Sequence, residues 1–183
     1  MLIRHADPAL DAAACAAIYA PYVSDTVISL EEQPPDEHEF KQRMQHITRT
    51  HPWLVAVSDG AVTGYAYASA HRERAAYRWA VDVTVYMGQE HRRRGAGRAL
   101  YGELFGLLRL QGFHVACAGV TLPNEASVGF HEALGFVPVG IYKRVAWKMG
   151  AWWDVGWWQL ELAEPTEGKP AEPVPPALGR ATT

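Results

Sequence analysis

Three consecutive runs, AVDVTVYM (residues 80–87), GQEHRRRGAG (88–97) and RALYGELFGLL (98–108), decide the fold of this chain. In the first run the odd-numbered residues are all apolar, which is the alternation of a strand with one buried face. In the third run leucines recur at helical spacing, so one side of a helix packs against a sheet. The sequence therefore predicts a strand, a glycine-containing turn and a helix that begins at the glycines.

The turn has the properties of an anion site. Gly95 and Gly97 lack Cβ, so a ligand can approach the backbone closely, and the free N–H groups of the first helical turn attract negative charge. A P-loop needs a Lys-Ser/Thr pair that is absent here, and the dinucleotide fingerprint needs a third glycine where this chain has Leu100. The remaining pattern, Arg92-x-x-Gly95-x-Gly97 after a strand that carries Asp82, predicts a site for a phosphorylated cofactor.

Two blocks of the sequence resemble a known family. The arginine–glycine motif resembles the acyl-CoA-binding motif of the GCN5-related N-acetyltransferases (GNAT), and LPNEASVGFHEALGF (122–136) is similar to their phosphinothricin N-acetyltransferase branch. The resemblance implies an α/β (α+β) domain over residues 1–162, with a mixed, mostly antiparallel central sheet whose central strands splay apart, flanked by helices. Residues 163–183 are rich in Pro and Glu and are predicted to form a disordered tail.

The resemblance implies acetyl transfer from acetyl-CoA to an amine that attacks directly in a ternary complex. A base must first remove a proton from the amine. The resembling enzymes carry Glu at the position of Asp82, so Asp82 is the predicted base, with a side chain one methylene shorter. His131, in the second block, is predicted to assist as base or as acid toward the leaving thiolate. The alternatives are that Asp82 only orients His131 or forms a structural ion pair, and that His131 is a packed helix histidine.

The same resemblance places the cofactor along the end of the central strand, over the glycine turn and at the start of the next helix. The predicted cofactor-binding residues are Val85, Tyr86, Met87, Arg93, Arg94, Gly95, Ala96, Gly97, Arg98 and Asn124. The arginines would neutralise CoA phosphates, although a solvated basic turn has the same composition; Asn124 also suits a plain N-cap. No metal is expected, because His38, His46 and His51 lack metal-ligand spacing.

Three local signals predict element boundaries. The Ala-rich helix that begins after Asp7 should stop at Pro21, Asp36 should cap the following helix, and Asp59-Gly60 should form a hairpin turn.

The charged loop HRER (71–74) follows this hairpin and precedes Tyr77. Such a loop is typical of a solvated turn, whereas the resemblance implies that Arg72, Arg74 and Tyr77 bind the acidic groups of an amino-acid acceptor such as phosphinothricin or methionine sulfoximine. The fixed fork of donors on Arg suits carboxylate or phosphinate oxygens. The acidic pair at 31–32 belongs either to the same pocket or to a solvated loop.

Composition and charge limit the other function classes. A net charge of −3 argues against a nucleic-acid binder that relies on bulk charge, two cysteines do not make a disulfide framework, and no run reaches the length of a membrane span. We therefore expect a cytoplasmic protein whose partner is a small-molecule amine, with no nucleic-acid or membrane partner. The resemblance implies a homodimer, and five of the seven tryptophans lie within 147–158, either in the core or at a dimer surface.

Two other functions stay open. One is a GNAT acetyltransferase whose acceptor is another small amine or a protein N-terminus. The other is a weakly catalytic acyl-CoA-binding module, which the shorter Asp82 allows and the intact block around His131 argues against.

Overall fold

The computed structural model of the chain describes residues 1–165 and 167–176, which form one seven-stranded sheet with four helices. The strands are β1 (Leu2–His5), β2 (Trp53–Ser58), β3 (Ala61–Ala70), β4 (Ala80–Met87), β5 (Val115–Leu122), β6 (Val137–Lys148) and β7 (Ala151–Glu161). The helices are α1 (Pro8–Ser24), α2 (Glu37–Ile47), α3 (Ala96–Gln111) and α4 (Glu125–Glu132). None of the described helices combines the length and the apolarity needed to cross a membrane.

The sheet opens at its centre. Its strand order is β1-β2-β3-β4-β5-β7-β6, and every neighbouring pair is antiparallel except β4 and β5. These two parallel strands pair only from Ala80↔Val115 to Asp82↔Cys117. Beyond Asp82, β4 stays with β3 as far as Met87, while β5 stays with β7. The two strands therefore diverge from Asp82 onward, which confirms the predicted mixed, mostly antiparallel sheet with splayed central strands.

The two faces of the sheet bury separate cores. On one face the leucines of α3, among them Leu100 and Leu104 at 0% exposure, pack against Ala66 of β3. On the other face α1 and α2 enclose an aromatic cluster that includes Tyr65, the residue before Ala66. Alternation along each strand sends neighbouring side chains to opposite faces. Each fully buried leucine contributes about 1.5–3 kcal/mol relative to its exposed form, so the strand–turn–helix unit is firmly held.

Most local sequence signals act as expected, with one exception at α1. Asp59 and Gly60 have positive φ values of 52° and 79° and form the predicted turn between β2 and β3. Asp36 caps α2 by accepting a hydrogen bond from the Glu39 N–H at 2.8 Å. The prediction that Pro21 ends α1 is wrong, because the helix continues to Ser24. The residues after Pro21 are buried in the aromatic core, and this packing outweighs the backbone hydrogen bond that proline removes.

Residues 167–176 of the predicted tail contact the body of the domain, and the disorder predicted for the tail stays a prediction. The Val174 N–H donates to the Gln111 carbonyl at 2.9 Å, and the Gln111 amide donates to the Val174 carbonyl at 2.7 Å. Glu172 accepts hydrogen bonds from Arg78. Composition missed these contacts because a few specific hydrogen bonds can fix a segment that has little apolar surface. Thr166 and residues 177–183 of the predicted tail lie outside the described residues.

Candidate active site

A cavity of about 500 Å³ lies in the opening between the splayed strands. Its walls come from α1, the loop after it, and strands β4, β5 and β7. The lining residues are Tyr19, Ile28, Ser29, Leu30, Glu31, Tyr86, Gly119, Thr121, Val155 and Trp157. A Cβ on Gly119 would lie 3.3 Å from the Trp157 ring, so the glycine leaves room for the indole as a wall of the cavity. We call this cavity the cleft.

Asp82 lies where the two central strands separate, because it is the last β4 residue paired with β5. Its Oδ1 atom lies 2.6 Å from Nδ1 of His71, and the side chains of Asp82 and His71 are 29% and 15% exposed. Burial raises the pKa of Asp82, while the hydrogen bond from His71 and the positive charge of Arg72 oppose that rise. The site therefore contains a carboxylate that accepts protons more readily than an exposed aspartate and still reaches solvent.

The pairing of β3 with β4 places His71 beside Asp82. Ser69 is the register partner of Asp82, and β3 ends one residue later. The first loop residue is His71, whose backbone N–H donates to Ala80 of β4 at 3.4 Å. No local signal selects this histidine, because the register between two strands joined by a nine-residue connection (71–79) cannot be read from adjacent residues.

His71, Asp82 and Cys117 form a group in which the candidate ligand atoms all lie within 4.8 Å of one another. Cys117 is the β5 residue opposite Asp82, so its side chain shares the face of the sheet on which Asp82 lies. Burial raises the pKa of the Cys117 thiol to about 11, and the nearby Asp82 adds to that rise. Among the described residues this is the group with metal-ligand spacing, and its thiol is protonated at neutral pH. The expectation of no metal stays a prediction.

His131 has a different environment at the end of α4. Its side chain is buried, with Nδ1 2.8 Å from the Ser127 carbonyl and Nε2 3.3 Å from the Tyr101 hydroxyl. Burial lowers its pKa, so the neutral ring is favoured. Within the described chain Asp82 is hydrogen-bonded to His71 and not to His131. The alternative in which Asp82 orients His131 therefore has no support in these contacts.

The glycine turn has the geometry that an anion site needs. Gly95 adopts φ +84°, a left-handed conformation that other residues adopt at a cost, and α3 begins at the next residue. The first N–H groups of a helix have no partner within it, so those of Ala96, Gly97 and Arg98 are available. The side chain of Arg98 points back to donate to Ala133 at 3.0 Å, whereas Arg93 and Arg94 are exposed. The turn thus fits the phosphates of a CoA-like cofactor.

The end of β4 provides a free strand edge beside this turn. After Asp82 the side of β4 that faces β5 has no partner among the described strands, and it carries Val85, Tyr86 and Met87. The ring of Tyr86 packs edge-on against Tyr22 at 4.7 Å, and the Tyr22 hydroxyl donates to the Met87 carbonyl at 2.7 Å. Tyr22 was not among the predicted site residues.

Asn124 opens α4, where its Oδ1 accepts a hydrogen bond from the Ser127 N–H at 3.1 Å. This is the N-cap role that the sequence allowed for it. The amide nitrogen of the side chain is not used by the cap, so the cap and a contact with a ligand are compatible.

The three predicted acceptor residues do not all reach the cleft. Arg72, Arg74 and Tyr77 line a second cavity of about 340 Å³, whose other wall includes the C-terminal segment. Arg72 also lies over Trp157, which lines the cleft, with its guanidinium carbon 5.5 Å from the centre of that ring. The structure therefore connects Arg72 to both cavities and leaves Arg74 and Tyr77, which is 46% exposed, at the outer one.

The loop after α1 forms the acidic wall of the cleft. Glu31 accepts hydrogen bonds from Arg43 at 2.7 Å and from the Tyr19 hydroxyl at 2.8 Å. Burial raises the pKa of Glu31, but these two hydrogen bonds outweigh it and the net shift is downward. Lys148, which was not among the predicted site residues, fixes the same loop by donating to three carbonyls, those of Val23, Thr26 and Ser29. Of the two interpretations of residues 31–32, membership of the pocket fits Glu31.

Comparison with known proteins identifies the family to which this chain belongs. Residues 16–136 match the family described as acetyltransferase (GNAT). The chain is 37% identical over 166 residues to the phosphinothricin N-acetyltransferase of Streptomyces viridochromogenes, covering 91% of each protein. The chain belongs to the acetyltransferase (GNAT) family. The resemblance predicted from the sequence is thereby confirmed.

Other members of the GNAT family agree with this placement. A solved phosphinothricin acetyltransferase from Sinorhizobium meliloti, in complex with acetyl-CoA, superposes with a TM-score of 0.87 at 40% identity and covers 93% of this chain and 92% of its own. The L-methionine sulfoximine/L-methionine sulfone acetyltransferase of Salmonella typhimurium is 34% identical over 90% of this chain and 96% of its own. This GNAT protein is thus an acetyltransferase with the fold of its relatives over nearly its whole length.

Proposed function

We propose that this GNAT enzyme transfers the acetyl group of acetyl-CoA to the amino group of a small amino-acid-like acceptor of the phosphinothricin or methionine sulfoximine type. The observation that carries the proposal is the Asp82 carboxylate at the point where β4 and β5 separate, beside a cleft of about 500 Å³. That volume suits a small molecule. The relatives named above act on such acceptors, which supports the acceptor class.

The glycine turn and the β4 edge would hold the cofactor. The N–H groups at the start of α3 and the exposed Arg93 and Arg94 carry positive charge for its phosphates. The unpaired edge of β4 around Val85 offers backbone N–H groups for its acyl arm, and one of them can polarise the thioester carbonyl. Acetyl-CoA supplies the activated acetyl group. Asn124 lies at the start of α4 with its amide nitrogen free for a further contact.

The acceptor would enter the cleft with its amino group toward Asp82. Neutralisation of the ammonium is the first requirement, since only the free amine has a lone pair for attack, and the raised pKa of Asp82 favours proton uptake there. Arg72, which lies over Trp157 at the cleft wall, is placed to bind an acceptor carboxylate or phosphinate. Arg74 and Tyr77 would add to this at the outer cavity if the acceptor extends that far.

The acid–base role predicted for His131 remains a prediction. Its contacts support a positioning role instead, because both ring nitrogens are engaged, by Ser127 and by Tyr101. In that role the ring ties α4, and with it Asn124, to α3. The two roles differ in their readout, since a positioning residue changes stability and cofactor affinity more than it changes the pH dependence of turnover.

We also infer a homodimer, which the edge strand β6 supports. Six large apolar side chains of this strand are 49–61% exposed: Val137, Val139, Ile141, Tyr142, Val145 and Trp147. Many exposed apolar side chains on an edge strand are typical of an interface between subunits. Size-exclusion chromatography with light scattering measures the molar mass of the protein in solution and tests this. Ile141→Glu should halve the measured mass, whereas Leu110→Glu, at an 82% exposed position on α3, should leave it unchanged.

The deciding experiment measures thiol release from acetyl-CoA with a panel of amines: phosphinothricin, methionine sulfoximine, methionine sulfone, ordinary amino acids and polyamines. Turnover on the phosphorus or sulfur analogues supports the proposal. Turnover only on other amines keeps the chemistry and rejects the acceptor class. No turnover, together with a rise in Tm on addition of acetyl-CoA, would identify a binding module instead. The cytoplasmic location stays a prediction.

A further inference from the structure

We propose that His71 is the group that takes the proton from the acceptor amine and that Asp82 acts through it, as the carboxylate of a histidine–carboxylate dyad. This inference rests on the proposed acetyl transfer and assigns its base more closely. The dyad differs from the pair predicted from the sequence, which joined Asp82 to His131. Its basis is the contact of His71 with Asp82 on one side and with Trp157, a wall of the cleft, on the other.

The hydrogen bond between the two side chains sets the state of the imidazole. Nδ1 of His71 lies 2.6 Å from Oδ1 of Asp82, and an ionised carboxylate can only accept, so Nδ1 carries the proton and donates it. The other ring nitrogen, Nε2, then holds a lone pair. This is the arrangement in which a carboxylate fixes the tautomer of a histidine base and stabilises the imidazolium that forms.

Packing holds the ring in one orientation at the cleft. The Trp157 ring, which lines the cleft, meets the His71 ring edge-on at 5.7 Å between centres, and Tyr77 lies at 6.0 Å on another side. The His71 side chain keeps 15% exposure, enough for a proton to pass by way of one water. The imidazole thereby extends the reach of the short Asp82 side chain by the width of a ring.

The groups around the dyad favour transfer of the proton from the acceptor amine to His71. The groups that face it are Arg72, the Cys117 thiol and the phenol of Tyr77. Arg72 is placed to bind the acceptor's acidic group at Trp157, so the amine at the other end of a small amino acid lies near the ring. The imidazolium formed on proton uptake is neutralised by the adjacent carboxylate.

The step balances without any further reactant. An N–H bond of the ammonium breaks, its electron pair stays on nitrogen, and the proton forms a new N–H bond at Nε2 of His71. The amine lone pair then forms the C–N bond to the acetyl carbon, and the C–S bond breaks with its pair going to the CoA sulfur. The second amine proton is lost as the amide forms, the thiolate takes up one proton, and one proton is released to solvent overall.

The His71→Asn variant distinguishes a histidine that acts as a base from one that only supports Asp82 through a hydrogen bond. The new amide can still donate to Asp82 from near the position of Nδ1 but offers no basic nitrogen. We expect kcat to fall by about 100-fold or more, with the KM for acetyl-CoA unchanged, and the activity that remains to rise steadily with pH as the free amine forms in solution. The control is His38→Asn at an exposed position on α2, which should match the wild type. A His71→Asn enzyme with near-normal kcat and an unchanged pH profile would overturn the proposal.

A paired substitution supplies an independent measurement. His71→Ala opens space beside residue 82, so adding Asp82→Glu lets a longer carboxylate occupy it. We expect the double variant to recover at least about tenfold in kcat over His71→Ala alone. Equal activity of the two would count against the dyad, as would an NMR assignment of the proton of His71 to Nε2 at neutral pH. A wild type that is inactive on every amine would refute the acetyl transfer itself, and with it the dyad, whereas an active wild type with an equally active His71→Asn variant would refute only the dyad.

Discussion

Two histidines of this protein have opposite surroundings. His71 has a carboxylate partner at 2.6 Å and a partly exposed ring beside the cleft. His131 is buried, and its two nitrogens are engaged by a carbonyl of its own helix and by Tyr101. The histidine that lies within a recognisable motif is thus the one held by the fold, whereas the histidine in the loop has one ring nitrogen without a hydrogen bond from the described residues. A motif therefore locates a site more reliably than it assigns the chemistry of each residue.

The largest effect on turnover is expected at Asp82, the carboxylate partner of His71. Asp82→Asn removes the carboxylate on which proton removal depends while keeping its size, so kcat should fall by about 10²–10⁴-fold. Acetyl-CoA should still raise the Tm, because the glycine turn is unaffected. Steady-state thiol release and thermal shift together test this. Near-normal turnover of the Asp82→Asn enzyme would place the base elsewhere, and equal loss of cofactor binding would point to a folding defect.

The pH profile gives the next largest effect. The pKa of Asp82 is raised by burial, so its carboxyl stays protonated to a higher pH than an exposed aspartate, whose ordinary pKa is about 3.9. Values of kcat/KM should therefore fall about tenfold per pH unit on the acid side, beginning above that ordinary pKa. Protonation of Asp82 removes the acceptor for the His71 Nδ1–H, so the dyad is lost on this limb. An acid limb that persists unchanged in Asp82→Asn would show that another group produces it.

Replacing the buried His131 by asparagine should act mainly on the stability of the fold. His131→Asn leaves Tyr101 or Ser127 without a buried partner, which costs about 1–3 kcal/mol of unfolding free energy. In a protein of this size that corresponds to about 2–4 °C in Tm per kcal/mol. We expect kcat to stay within about threefold of wild type, in contrast to the fall at His71. A large loss of kcat with an unchanged Tm would instead support the catalytic role predicted for His131.

The smallest effect is the pH dependence of stability. Burial lowers the pKa of His131 in the folded state, so the unfolded chain binds its proton more readily and stability is lost as pH falls below about 6.5. His5 and His51 are shifted the same way by burial and supply a background. The drop in Tm between about pH 7.5 and about pH 5.5 should therefore be smaller in His131→Asn than in wild type. An unaltered drop would mean that His131 titrates no differently after unfolding.

The elements that the sequence predicted well are those set by nearby residues. The Asp59–Gly60 turn, the Asp36 cap and the glycine start of α3 each depend on a few adjacent positions, and the structure shows all three. The Asp82 position followed from strand alternation and a family motif. The partner of Asp82 did not, because it depends on the β3–β4 register and on a tryptophan brought in by β7.

The prediction that the helix ends at Pro21 was wrong for a related reason. A local rule predicted the stop, and long-range burial of the next residues decided against it. The sequence identified the arginine loop as a candidate for acceptor binding, but the division of its residues between two cavities depends on where Trp157 and the C-terminal segment lie. Non-local packing therefore accounts for what the residues alone did not reveal.

The contact between the C-terminal segment and the residues that follow the arginine loop affects which molecules can reach the outer cavity. Glu172 pairs with Arg78, and Trp79 donates to the Ala171 carbonyl, so the segment forms one side of the outer cavity. A version trimmed after residue 162 would keep the cleft but present a different rim to incoming molecules. A molecule seated in the outer cavity must share that space with the segment or displace it, so a change in protease sensitivity near residue 170 on addition of an acceptor would show that the acceptor extends this far.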